Sequence, residues 1–139
     1  MLDGKVAIIT GSGRGIGRAM AEEMAKSGAK IIVNDPGVGQ SGEGDDKAPA
    51  EEVVDAIKSA GGEAVPNFDS VTSFEGTTNM VNQALSTYGR LDIVVNNAGV
   101  LRDRMLHKMS PEDWQAVQDV HLGGHFNMCR AAINIFREQ

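Results

Sequence analysis

The stretch KVAIITGSGRGIG, residues 5–17, decides the fold. Residues 5–10 form a short apolar run rich in β-branched side chains, ended at once by glycine, which predicts a buried strand. Ile16, Met20, Ala21 and Met24 then recur at helical spacing, and Gly28 predicts the stop after residue 27. Between strand and helix lie Gly11, Ser12, Gly13, Arg14, Gly15, Ile16 and Gly17. Gly11 permits a sharp turn, Gly15 lets the backbone approach a pyrophosphate with no Cβ in the way, and Gly17 lets the helix pack closely on the strand. The helix start adds unpaired N–H groups and the positive end of the helix dipole. Glycines also serve plain turns, so it is the strand–loop–helix context that points to a phosphate ligand.

Working outward, residues 30–34 (KIIVN) read as a second strand, and Asp35 ends it 18 residues after Gly17. A carboxylate there can accept hydrogen bonds from the hydroxyls of an adenosine ribose and would repel a 2′-phosphate, so NAD is favoured over NADP. Arg14 pulls the other way, because a loop arginine can pair with such a phosphate. Asp35 is given precedence, being placed directly beside the ribose. Its plainer reading is a turn-starting acid before Pro36.

Residues 35–49 are rich in glycine and proline and carry the Asp45-Asp46 pair. They read as a surface loop, either a simple connection or part of the lining of a binding site. Residues 51–60 form a helix with Val53, Val54 and Ile57 on one face, closed by Gly61-Gly62. Residues 63–68 give a third strand. Thr72-Ser73-Phe74-Glu75 resembles a capping box ahead of a helix to about Tyr88, and residues 91–95 give a fourth strand. Ser110-Pro111-Glu112-Asp113 starts a last helix, which runs through Trp114, Val117 and Val120 and is weakened at Gly123-Gly124. Strands alternating with helices predict a Rossmann-type α/β fold, a doubly wound parallel sheet in one domain over residues 1–139.

Of 139 residues, 41% are hydrophobic and 23% charged, ordinary for one globular domain. The net charge of −6 argues against a nucleic-acid partner, which wants a basic face. Cys129 is the single cysteine, so neither an internal disulfide nor a cysteine cluster for zinc can form, in keeping with a reducing, cytoplasmic setting. No apolar run is long enough to span a membrane, the start has no long apolar signal region, and the last residues carry no targeting signal.

TGxxxGIG at residues 10–17, taken together with Asn96-Asn97-Ala98-Gly99 after the fourth strand, resembles the short-chain dehydrogenase/reductase family. VNDPG (33–37), NFDSV (67–71), NNAGVLRDRML (96–106) and VHLGGHF (120–126) look like a narrower branch. That branch is the (3R)-hydroxyacyl-CoA dehydrogenase part of the peroxisomal multifunctional β-oxidation enzyme and its bacterial relatives. The resemblance implies that Asp69, Ser70 and Val71 hold the adenine ring. It implies that Asn96 and Asn97 brace the central strands and the nicotinamide ribose, with Ala98 following and Gly99 leaving room for the cofactor. His121 stands where most of the family has asparagine in a proton relay. An imidazole can fill that role, or simply pack in the helix. The last helix helps form the subunit interface in the family, so a homo-oligomer is a further expectation.

The family's hydride chemistry also needs a Tyr-x-x-x-Lys pair and an upstream serine, all beyond the NNAG strand. The only tyrosine is Tyr88, which precedes that strand and is followed four residues later by Asp92. The expectation is therefore the nucleotide-binding front part of a dehydrogenase for a secondary alcohol, or a 3-hydroxyacyl-CoA, without turnover by itself. The edge left by residues 93–95 would be apolar and open to pairing. Two other readings stand beside it: a non-catalytic NAD-binding or homologue-pairing protein, and a methyltransferase-like Rossmann protein, against which NNAG argues.

Overall fold

The computed structural model describes residues 1–39, 42–44 and 46–139. Four parallel strands, β1 (Val6–Thr10), β2 (Lys30–Asn34), β3 (Glu63–Asn67) and β4 (Ile93–Val95), lie in the order β3-β2-β1-β4. Helices α1 (Gly15–Lys26), α2 (Ala48–Ser59) and α3 (Phe74–Tyr88) make the crossovers. The chain ends with α4 (Pro111–Gln118), a π-helical turn at Asp119–Gly123, and α5 (Gly124–Glu138). The doubly wound parallel α/β fold expected from the sequence is the one observed.

The central strands are apolar throughout because both faces are covered. Ala7, Ile9, Ile31 and Val33 face α1 and α2, meeting Ala21, Val53 and Ile57. The alternate residues Val6, Ile8 and Ile32 face α3 and α5, meeting Met80, Val81, Met128 and Ala132. Pairing puts Thr10 beside Asn34 and Asn34 beside Asn67, one polar row across the carboxyl ends of three strands. The strand order reverses between β1 and β4, which opens a crevice above their carboxyl ends.

At the opposite end of the sheet, Asp92 anchors the entry to β4. Its carboxylate accepts from Arg90 Nη2 at 2.6 Å, Arg90 Nε at 2.8 Å, Val6 N at 3.0 Å and Lys5 Nζ at 3.1 Å. The hydrogen bond from Arg90 is the largest cause holding its acid group well below the ordinary carboxylate range.

Several expected boundaries shift. α2 begins at Ala48, not residue 51, with Pro49 in its first turn and Asp46 Oδ1 accepting from Ala48 N at 3.0 Å. Proline suits a first turn, where its missing N–H costs nothing, so the preceding loop is shorter than expected. Asp45 lies outside the described residues. Ile16, expected on the buried face of α1, is 76% exposed. Gly17, Ala21 and Ala25 face the core instead, because the helix touches the sheet through its small residues. Trp114 is 59% exposed, and the expected single last helix runs unbroken from Pro111 to Glu138, with a π-helical bulge at Asp119–Gly123 beside the glycine pair expected to weaken it. β4 is confined to Ile93–Val95 and is half-buried at the sheet edge, as expected for an incompletely covered strand.

Candidate functional site: a cleft at the strand ends

A cleft of about 510 Å³ opens above the point where the strand order reverses. Gly11 and Arg14 line it from the glycine loop, Asn34 and Asp35 from β2, and Ser70 and Val71 from the segment after β3. Asn97, Ala98 and Gly99 close the far side. Residues distant in sequence are thus brought together around one cavity.

The glycine loop takes its shape from three requirements. Gly11 has φ +63° and Gly15 φ +55°, both in the left-handed region that side-chain-bearing residues seldom adopt. No atom lies within 4 Å of where a Cβ on Gly15 would stand, so that position faces open space. At Gly17 a Cβ would collide with Gly11 O, and would stand 2.5 Å from Asn97 Nδ2. Arg14, the N-cap of α1, gives no side-chain cap, and no acidic residue stands in the first turn. The opening amides of α1 therefore keep their anion-binding capacity. This cradle fits a pyrophosphate.

Asp35 sits beside the loop. Its Oδ2 accepts from Gly13 N at 3.0 Å and its Oδ1 from Gly37 N at 2.8 Å. Two backbone donors fix the carboxylate while each oxygen keeps a lone pair for a sugar hydroxyl. Arg14 Nη2 lies 3.6 Å from Asp46 Oδ2, so the competing loop cation already has an anionic neighbour.

The remaining expected residues divide. Ser12 is fully buried and braces the loop, its Oγ donating to Ile9 O at 2.7 Å and its N to Asn34 O at 2.8 Å. Asn97 Nδ2 donates to Thr10 O and Gly11 O, each at 3.0 Å. Asn96 does not line the cleft; its Nδ2 lies 3.7 Å from Cys129 Sγ. Ile16 is not a lining residue. Asp69 stands behind the lining, its Oδ2 accepting from Asn67 Nδ2 at 2.8 Å. Val71 O accepts from Asn127 Nδ2 at 2.9 Å, tying that wall to α5.

The π turn carries His121 against Gly99 and Val100. His121 Nε2 lies 3.2 Å from Val100 N and 3.1 Å from Val100 O, so it accepts from the amide in one tautomer and donates to the carbonyl in the other. A Cβ on Gly99 would stand 2.8 Å from His121 Cε1, which explains the glycine there. Tyr88 lies at the other end of the sheet with Lys30 Nζ 5.5 Å from its ring centre. Burial first and Glu63 second raise its phenol above the ordinary value, the opposite of what an acid/base tyrosine requires.

Sequence reading missed Asn34, Arg102 and Thr10. Arg102 lines the cleft and pairs with Asp113 at 3.3 Å and Glu43 at 3.8 Å. The polar end of KIIVN was the available signal for Asn34. Thr10 opens the TGxxxGIG motif and Arg102 falls within NNAGVLRDRML, but their partners lie on other elements, so the motifs do not say what these side chains hold.

Comparison with known proteins adds the following. The family model described as short chain dehydrogenase matches residues 5–139. The peroxisomal multifunctional enzyme type 2 of Drosophila melanogaster is 47% identical over 137 residues, covering 99% of this chain and 22% of that protein. A hydroxyacyl-CoA dehydrogenase of Mycobacterium tuberculosis is 41% identical, covering 99% of this chain and 42% of that protein. The crystal structure of a short chain dehydrogenase from Mycobacterium avium superposes with a TM-score of 0.90 at 45% identity, covering 99% of this chain and 49% of that one. The chain thus spans less than half the length of each of these proteins.

Proposed function

The chain belongs to the short-chain dehydrogenase family, and from that premise we propose that it forms the NAD-binding part of an oxidoreductase for secondary alcohols. The observation that carries this is the Asp35 carboxylate, fixed by Gly13 N at 3.0 Å and lining the same cleft as Gly11. The first-turn amides of α1 would hold the pyrophosphate and Asp35 the adenosine ribose. Asp69, Ser70 and Val71 would flank the base, while Asn97, Ala98 and Gly99 form the wall on the nicotinamide side. Bound NAD supplies the hydride acceptor. Asp35 disfavours a 2′-phosphate by like-charge repulsion, and the Arg14–Asp46 pair weakens the one loop cation that would welcome it.

The name of the Mycobacterium tuberculosis relative, a hydroxyacyl-CoA dehydrogenase, supports a hydroxyacyl-CoA as the substrate class, and the resemblance of the sequence motifs favours the 3-hydroxy form. His121 is assigned to a relay beside Val100, as a positioning residue. The tyrosine, lysine and serine expected of the family's chemistry have no counterparts in this sequence, so the 139-residue chain alone is expected to turn over no substrate. Among the described residues no helix is long and apolar enough to cross a membrane. A cytoplasmic setting is favoured by the free Cys129, whereas the Drosophila relative is named as peroxisomal.

Calorimetric titration with NAD and NADP tests the reading. Tighter binding of NAD, lost in Asp35→Ala, is expected. Equal affinity for both cofactors, or no binding of either, would refute it.

A second reading, a homologue-pairing protein, is favoured by one observation. Leu122, Phe126 and Trp114 on the last helices are 69%, 65% and 59% exposed. Such residues invite association. Sedimentation showing only monomer at high concentration would remove it.

A further inference from the structure

The π turn sets one short helical segment against both walls of the cleft. Before it, α4 buries no residue; past it, α5 buries Gly124, Met128 and Ala132. A π turn takes about one residue more than an α turn, which rotates the side chains that follow by roughly 100° relative to those before. Within the turn His121 meets Val100 on one wall. A turn further on, Gly124 and Asn127 meet Val71 on the other. A Cβ at Gly124 would stand 2.8 Å from Val71 Cγ2, so the helix backbone lies directly against that side chain.

Val71 is held in two ways. Its side chain, 7% exposed, packs in the core shared with Met80, Val81 and Met128. Apolar packing is non-directional, so it keeps the segment in place without fixing how its peptides turn. The peptide that follows Val71 is fixed by hydrogen bonds at both ends. Asn127 Nδ2 donates to Val71 O at 2.9 Å, and Thr72 N donates to Ser70 Oγ at 3.2 Å. Among the described residues no main-chain N–H donates to Val71 O, so the Asn127 amide takes the place of a backbone donor. A carbonyl oxygen only accepts, which requires the amide to present its nitrogen. Ser70, Val71 and Thr72 all line the cleft.

We propose that Asn127 is a positioning residue for the nucleotide: by fixing the peptide between Val71 and Thr72 it sets the wall against which the adenine ring rests. The proposal rests on the NAD-binding reading above and deepens it. Asn127 does not line the cleft itself and acts through Val71. An alanine in its place leaves the peptide free to turn. An aspartate keeps the shape of the side chain but sets a carboxylate oxygen against a carbonyl oxygen, with no hydrogen between them.

The test compares NAD with the dinucleotide that carries cytosine in place of adenine, by chemical-shift titration of the full chain, which follows weak binding as well as tight. The single pyrimidine ring gives that wall less to hold. Asn127→Ala is expected to weaken NAD about fivefold, the worth of one neutral hydrogen bond, and the cytosine analogue by less than about twofold. Asn127→Asp is expected to weaken NAD at least as much as the alanine does. Both variants are expected to fold, because Asn127 is only half-buried. An unchanged NAD affinity in either variant, or an equal loss for both dinucleotides, would overturn the proposal. If Asn127→Ala does not fold, the same comparison in Asn127→Asp decides alone. Loss of the fold in both would show that Asn127 supports the structure and not the site, which overturns it too. If wild type binds neither dinucleotide, the NAD-binding reading falls and takes this one with it. If wild type binds NAD and the variants lose both dinucleotides alike, only the positioning role of Asn127 is lost.

Discussion

Asn97 and Thr10 hold each other at two points. The Thr10 hydroxyl accepts from Asn97 N at 3.0 Å, and Asn97 Nδ2 donates to Thr10 O at 3.0 Å. The same hydroxyl accepts from Ala98 N at 3.0 Å and lies 3.3 Å from its own acceptor, Val95 O. One threonine thus clamps the exit of β4 to the phosphate loop, and the two walls of the cleft become one rigid unit.

Asn97→Ala removes donors to Thr10 O and Gly11 O at a partly buried site. It is expected to lower stability by about 2 kcal/mol, since each lost partner leaves a poorly solvated carbonyl. Urea unfolding reads the change as a lower midpoint at constant slope. An unaltered midpoint would show that the clamp contributes nothing.

Gly15→Ala and Gly17→Ala should fail in different ways. Alanine at Gly15 meets no atom but must adopt φ +55°, a cost of about 1–2 kcal/mol, and its methyl group enters the phosphate path. The expected product is folded and deaf to NAD. Alanine at Gly17 collides with Gly11 O and Asn97 Nδ2, so loss of the fold itself is expected. Circular dichroism with NAD titration separates the two. A Gly15→Ala protein of normal affinity would contradict the assigned approach of the pyrophosphate.

Asp35→Ala is expected to weaken NAD by about tenfold or more, the worth of a charge-assisted hydrogen bond. NADP should lose little or improve, because the carboxylate that repels its phosphate is gone. Equal losses for both cofactors would show that Asp35 merely supports the loop through Gly13 N and Gly37 N.

Acid should reach the sheet through Asp92. Its folded-state pKa is depressed, chiefly by the Arg90 hydrogen bond. Its contribution is therefore complete above the unfolded carboxylate value of about 3.9 and drains away as pH falls below that, towards the lower folded value. Asp92→Asn is expected to be less stable at neutral pH by about 2 kcal/mol and to lose less on acidification. Urea midpoints between pH 6 and about pH 3 give the comparison. Parallel curves for the two proteins would assign the acid response to other carboxylates.

The residues that shape each element were legible because their signals are local. An apolar run ended by glycine marked β1, and the cap of α3 was placed one residue early: the box read at Thr72–Glu75 would make Thr72 the cap, whereas Ser73 Oγ accepts from Gly76 N at 3.0 Å. Ile16 misled, since spacing reports which residues share a helix face but not how far along the helix the sheet extends. The π turn at residues 119–123 was missed because its lengthened hydrogen-bond pattern carries no residue code beyond the flexibility of Gly123-Gly124.

By itself the sequence determined four apolar strands, the glycine crossover between the first strand and helix, and an acid at the tip of the second strand. These follow from neighbouring residues, whose periodicity and backbone preferences act over a few positions. Only the tertiary structure decided that Thr10, Asn34 and Asn67 form one row and that Asn97 binds the phosphate loop. Parallel pairing sets residues side by side that lie far apart along the chain, and hydrogen bonds between side chains depend on that register. No local pattern encodes it.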